Sequence, residues 1–278
     1  MGQKSYTHSF AQIYDKVMST VPYDLWYRYI QELLSHYNRE PQSVLDLACG
    51  TGNMTLKFAG GEKTVVGLDG SSEMLNVARR KAEKQQKEVS FVESDLRDFD
   101  FSRKFDLVFS VFDSLNYILS LDDLKKVFAN VEAVLTDDGV FIFDMNTLHR
   151  LMSIEPGTAM FTGDDYTCIW EDKINEKEKK WIVELKIELE GKNNGHFEER
   201  HEETSYPLFD IEKILAEVGL FTAKRYKAFT FSKGGEKDNR VYFVVFKNIP
   251  NIDFPFHKIL AKKLKWTFWK IFRHRSKF

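Results

Sequence analysis

With 43% hydrophobic and 29% charged residues, a chain of 278 residues is composed like a folded globular protein rather than a disordered one, and is long enough for one large domain with an insertion. The formal charge of −2 conceals an asymmetry: 250–278 holds eight Lys or Arg and one Asp, leaving 1–249 with nine more acids than bases. An acidic body is a poor platform for phosphate backbones, which argues against nucleic acid as a partner.

The start, Met1–Tyr6, lacks the apolar core of a secretory signal, and no apolar run approaches the ~20 residues that span a bilayer. Two cysteines, Cys49 and Cys168, suggest neither a disulfide framework nor a metal cluster. These features predict a cytoplasmic protein. Residues 5–38 fit two helices broken around Val21-Pro22, an N-terminal helical cap over 1–40. Phe10, Ile13, Tyr14 and Val17 fall at helical spacing in the first; Leu25, Trp26, Tyr29, Ile30 and Leu33 do so in the second. Their aromatic residues either pack on the main core or line a substrate site.

Val44, Leu45 and Leu47 form a short apolar run suited to a buried strand. Gly50 and Gly52 then turn the chain, and Asn53 stands where a helix would open. Alternation continues: strand Lys63–Asp69, helix Ser71–Gln86, strand Val89–Glu93, strand Phe105–Val111, helix Leu121–Leu135 and strand Gly139–Met145. That order predicts an α/β fold, a Rossmann-like and mostly parallel sheet whose ligands bind beyond the carboxyl ends of its strands. Gly50, Gly52, Asp69, Asp95, Asp113 and Asn146 all fall near such ends. Asp165–Ile174, Lys180–Glu190 and His196–Tyr206 then alternate partially, predicting an inserted antiparallel β-subdomain of three strands within about 150–207. Helix Asp210–Val218 precedes Phe221–Phe231 and Arg240–Phe246, a C-terminal antiparallel hairpin that closes a 41–249 domain. In the basic tail, Phe256, Leu260, Leu264, Phe268, Ile271 and Phe272 share one helical face, opposite Lys258, Lys262, Lys265 and Arg273. Such a helix suits packing on the body or a second subunit, or a peripheral contact with an anionic membrane surface.

A glycine turn after a first parallel strand serves two ligand classes. Dinucleotide binding calls for a third glycine, where Thr55 stands here, and no Gly-Lys-Ser/Thr follows to make a P-loop. The segments Asp46-Leu-Ala-Cys-Gly50-Thr-Gly52, Gly67-Leu-Asp69-Gly-Ser-Ser-Glu-Met74-Leu, Glu93-Ser-Asp95-Leu and Phe105-Asp-Leu-Val108 together resemble the successive signatures of class I S-adenosylmethionine-dependent methyltransferases. Phe10–Asp15, Phe112–Tyr117 and the insertion resemble the small-molecule branch that includes glycine and amino-sugar N-methyltransferases. The resemblance implies a seven-stranded sheet, S-adenosyl-L-methionine as cofactor, and a small-molecule amine or hydroxyl as methyl acceptor.

The resemblance also implies roles. Gly50 and Gly52 admit the methionyl part and ribose; Asp46 sits under the turn, facing the cofactor's ammonium; Asp69 accepts from both ribose hydroxyls. Met74 and Leu96 flank the adenine and Asp95 accepts from its amino group. Tyr14, Ala48, Gly70 and Val111 complete the cofactor set. Tyr14, Tyr117 and His201 are the candidate catalytic residues, and Asp113, Asn116, Asn146 and Tyr206 the candidate acceptor contacts; no metal is implied. Competing readings are a methyltransferase for nucleic acid, protein or a lipid-linked substrate, a cofactor-binding regulator, and an oligomer.

Overall fold

The computed structural model describes residue 6, residues 8–190 and residues 194–250. Its elements are α1 (His8–Val17), α2 (Tyr23–His36), β1 (Ser43–Leu47), α3 (Thr55–Phe58), β2 (Thr64–Asp69), α4 (Ser72–Lys84), β3 (Ser90–Glu93), β4 (Phe105–Ser110), α5 (Leu121–Val134), β5 (Leu135–Asn146), α6 (Leu148–Met152), β6 (Gly157–Gly163), β7 (Tyr166–Asn175), β8 (Lys180–Leu189), β9 (Gly195–Thr204), α7 (Leu208–Glu217), β10 (Phe221–Lys227) and β11 (Arg240–Phe246). A short 3-10 turn, Ser114–Tyr117, follows β4.

Seven strands form one sheet in the order β10-β11-β5-β4-β1-β2-β3, and β6 to β9 form a second, four-stranded sheet. Strands β1 to β5 pair in parallel; β11 runs antiparallel to β5 and β10 to β11. The main sheet is covered on both faces, which explains its continuous apolar runs. Successive side chains point to opposite sides, so Leu45, Leu47, Val108, Phe141 and Phe243 pack with α5 and α7, while Val44, Phe109, Ile142 and Tyr242 pack with α2. Asp46 shares the α2 side with Val44, which brings its carboxylate against Thr55 at the start of α3.

Local signals set the helices. Ser120 caps α5 by accepting from the Asp123 N–H at 3.1 Å, and Leu124, Val127, Phe128, Val131 and Val134 repeat at helical spacing into the core. Each such side chain contributes ~1.5–3 kcal/mol by burial. Ser71 lies outside α4 as its N-cap, accepting from Met74.

Several expectations need correction. The second sheet has four strands rather than three: β6 was not foreseen because it is mostly exposed and has no apolar alternation. Asn53 does not open a helix; α3 begins at Thr55 and is one turn long, and the Asn53 amide instead donates to Asp15 at 2.8 Å. Strand β10 stops at Lys227, so the connection to β11 is longer than the sequence implied. Strand β5 begins directly at the end of α5 and pairs Leu135 with Phe105, adding residues before Gly139. The proposed amphipathic tail lies outside the described residues beyond Pro250. Among the described residues, no helix is long and apolar enough to cross a membrane.

Candidate functional site

At the carboxyl end of β1 the backbone enters the left-handed region three times, at Ala48 (φ 57°), Gly50 (φ 53°) and Gly52 (φ 77°). A side chain at Gly52 would stand 3.1 Å from Ala78 Cβ and 3.3 Å from Phe91, so the left-handed backbone favours glycine and the close neighbours leave little room for a side chain. Asp69, at the end of β2, ties this turn to α4: its two carboxylate oxygens accept from Gly50 N and Ser71 N, each at 2.8 Å. Burial raises its pKa, against the backbone N–H groups of Ser71, Gly50 and Gly70, which favour the charge. A carboxylate has about four acceptor sites, so the backbone N–H groups do not exhaust its capacity to accept.

Asp46 lies beneath the turn, buried, accepting from the Thr55 hydroxyl at 2.6 Å. Burial pushes its pKa up to about 8; the Thr55 bond opposes this and the Asp69 charge adds to it. Ala48 and Val111 line a narrow cleft with Asp46 and Tyr14. The cradle thus brings together a glycine backbone open to close approach, a carboxylate at the end of β2 and a buried acid beneath the turn.

Tyr14 and Phe112 also belong to the wall of a second, larger cavity of about 580 Å³, so the two spaces adjoin. This cavity lies among α1, the tip of β4 and the inward face of the four-stranded sheet. Register puts Trp181 opposite Glu203 and Val183 opposite His201, so these residues share that face. Tyr117, Asp113 and His201 all line it, as does Tyr6 from the segment before α1. The Tyr6 hydroxyl donates to the Tyr117 hydroxyl at 2.9 Å, and the Tyr117 oxygen is 3.4 Å from His201 Nδ1. His201 Nε2 lies 3.2 Å from Glu199 Oε2, which also accepts from Tyr6 N at 2.8 Å. Burial raises the pKa of Tyr14, Tyr117 and Tyr6 well above the ordinary phenol value, so all three remain protonated.

Phe112 and Asp113 are both left-handed (φ 68° and 53°), a strained pair for residues with side chains. Asp144 holds them, accepting from Phe112 N at 3.2 Å and Asp113 N at 2.8 Å. Arg240, first residue of β11, bridges Asp113 at 2.8 Å and Asp144 at 3.1 Å, and the Asn146 amide donates to Asp113 at 2.5 Å. Glu203 completes the cluster. It is 5% exposed, and its Oε2 has no hydrogen-bond partner among the described residues. Burial and the Asp113 charge raise its pKa well above the usual carboxylate range, against Arg240 and the Asn146 amide. Burial likewise raises Asp113, with the Arg240 charge opposing.

Two expected acceptor contacts are corrected. Asn116 is wholly buried and its amide is consumed by backbone, donating to Asn146 O and Thr204 O and accepting from Asn146 N. Tyr206 packs against the main core, and its hydroxyl donates to Ile118 O at 2.7 Å. Four cofactor expectations are placed differently from the cradle residues. Met74 is 1% exposed, packed in a cluster with Phe10, Ala11 and Tyr14. Asp95 is exposed and turned onto Arg97, whose guanidinium lowers its pKa; Leu96 packs against the main core. Gly70 is exposed beside Asp69.

Sequence reasoning missed Tyr6, Asp144, Glu203 and Arg240. In β9 the inward residues Glu199, His201 and Glu203 alternate with Glu198, Arg200 and Glu202, so no apolar face marks which side is buried. The signal for Glu203 is its pairing with Trp181, legible only once the register is known.

The methyltransferase-domain family matches residues 44–139. The chain is 30% identical over 237 residues to the Bacillus subtilis protein YqeM, covering 84% of this chain and 94% of that one. A solved S-adenosylmethionine-dependent methyltransferase from Clostridium acetobutylicum is 32% identical and superposes with a TM-score of 0.75, covering 85% of this chain and 97% of that one. The dTDP-3-amino-3,6-dideoxy-alpha-D-glucopyranose N,N-dimethyltransferase of Streptomyces fradiae is 26% identical over 226 residues, covering 78% and 86%.

Proposed function

Since the chain belongs to the S-adenosylmethionine-dependent methyltransferases, we propose that it transfers the methyl group to the amine nitrogen of a small molecule held in the 580 Å³ cavity. The observation that carries this reading is the pair of carboxylates, buried Glu203 and partly buried Asp113, on the wall of a cavity adjoining the cofactor cleft. Carboxylates attract an ammonium and accept its proton, which frees the nitrogen lone pair; a hydroxyl would demand a far stronger base. The likeness to an amino-sugar N,N-dimethyltransferase supports an amine acceptor.

When bound, the cofactor supplies a methyl group already activated on a sulfonium. Gly50 and Gly52 would hold its chain, Asp69 its ribose hydroxyls and Asp46 its ammonium, with Ala48, Val111 and Tyr14 along the cleft. The remaining work of the protein is alignment and exclusion of water. Tyr14 and Phe112 form the wall shared by the two spaces and set the approach of acceptor to methyl. Tyr117, hydrogen-bonded to Tyr6 and beside His201, fixes the acceptor's polar groups, while Asp113 and Asn146 hold the floor. In this reading residues 1–40 cap the site, 41–249 form the catalytic domain and 150–207 supply the acceptor wall.

The test is a screen of full-length protein with cofactor against matched amine and alcohol pairs, read as products 14 mass units heavier. Methylated amines with unreacted alcohols are expected. Methylation of the alcohols alone would refute the nitrogen assignment.

A further inference from the structure

The walls of the acceptor cavity carry more information than its acid floor. Trp170 on β7 and Trp181 on β8 both line it, and both indole N–H groups donate to the same oxygen, Oδ1 of Asp172, at 3.0 and 2.9 Å. Register explains this: Asp172 pairs with Val183, so Trp170 and Trp181 lie on the same face, two residues to either side of that pair. A single carboxylate thus locks two large ring systems in place. Phe161 stands edge-on to Trp170, with ring centroids 6.3 Å apart, and lines the same space. Rings held rigid before binding lose little entropy when a flat partner docks.

The charges point the same way. Three carboxylates line the cavity: Asp113, Asp172 and Glu203. Among the described lining residues, Lys16 is the permanent cation, and both oxygens of Asp165 already hold its ammonium, at 2.6 and 2.8 Å. Arg240, behind the floor, is engaged by Asp113 and Asp144. A phosphate or diphosphate placed here would find no unengaged cation among the described lining residues to offset its charge, and an uncompensated charge disfavours binding. A protonated amine would find an acid with an unpartnered oxygen, Glu203 Oε2, and aromatic faces that attract cations.

We propose that the acceptor is a phosphate-free cationic amine with a flat aromatic body, its ring docked on Trp170 and Trp181 and its ammonium on Glu203. This rests on the amine reading above and departs from nucleotide-linked acceptors. The ammonium N–H proton passes to the Glu203 carboxylate and leaves the nitrogen pair free. The N–C bond forms as the S–C bond breaks, giving a thioether and a methylated ammonium, and the Glu203 proton is released to solvent.

The test is calorimetry on full-length protein saturated with S-adenosylhomocysteine, titrated with four probes: tryptamine, its alcohol isostere tryptophol, ethylamine and thymidine diphosphate. Tryptamine is expected to bind at least 10-fold more tightly than each of the others. Trp181→Ala should lower tryptamine affinity at least 10-fold and leave homocysteine-nucleoside affinity unchanged. Glu203→Gln should abolish the preference for tryptamine over tryptophol. The comparison of probes on the unaltered protein stands even if a variant fails to fold. Thymidine diphosphate binding as tightly as tryptamine, ethylamine matching it, or no heat from tryptamine overturns the proposal. Absence of S-adenosylhomocysteine binding would instead strike the cofactor site, and preference for tryptophol over tryptamine would strike the amine reading itself.

Discussion

The buried carboxyl beneath the glycine turn makes the stability of this fold depend on pH in the direction opposite to most acids. Asp46 titrates at about 8 in the native chain because burial penalises its charge, and near 4 once unfolded. Between those values the native state holds a proton that the unfolded state has released, so raising pH favours unfolding. The stabilisation is complete below about pH 4, shrinks through the window and is gone above about pH 8. The slope is at most about 1.4 kcal/mol per pH unit, a ceiling of about 5 kcal/mol across the window. Asp46→Asn removes the titration and retains the shape, with the Thr55 hydroxyl still able to donate to the amide oxygen. Urea unfolding of both proteins, free of cofactor, should show wild-type stability falling relative to the variant by roughly 1 kcal/mol per pH unit between about pH 5 and 7.5. A difference that stays flat across that range would mean the native carboxyl is already ionised, and the reasoning from burial would be wrong.

Two further outcomes follow from named contacts. Asp69→Ala removes the acceptor shared by Gly50 N and Ser71 N, and with it the proposed diol contacts. Cofactor affinity measured by calorimetry should fall by ~1.5–3 kcal/mol per charge-assisted bond lost, and unchanged affinity would remove Asp69 from the site. Asn116→Ala should instead act on stability, by ~2–4 kcal/mol in urea unfolding, because it removes the side-chain partner of the Thr204 carbonyl and of the Asn146 N–H, while the Asn146 carbonyl keeps the Ser205 hydroxyl. A variant of unchanged stability with weakened acceptor binding would return Asn116 to the acceptor site.

The parallel sheet was legible because its central strands are buried on both faces and announce themselves as apolar runs, as Val44–Leu47 and Thr64–Asp69 do, whereas the edge strand β3 is partly exposed. The cradle was legible for the same reason: Gly50, Gly52 and Asp69 are neighbours in space because β1 and β2 are neighbours in the sheet. The acceptor cavity was much less so. Its walls come from α1, the β4 tip and strands β6 to β9, whose juxtaposition depends on tertiary packing. Strand β6 shows no alternation, and the inward acids of β9 look like any solvated run. Asn116 and Tyr206 illustrate the converse error: polar residues near a strand end that are spent on backbone carbonyls.

The reversal of β11 has a geometric consequence. A strand parallel to its neighbours would reach the reactive edge of the sheet at its last residue; β11 starts there, with Arg240 opposite Asn146, and travels away. Its far end, Phe246, therefore stands ~20 Å from Arg240 at an ordinary strand rise. One strand thus anchors the electrostatic floor at one end and carries the chain off the sheet at the other.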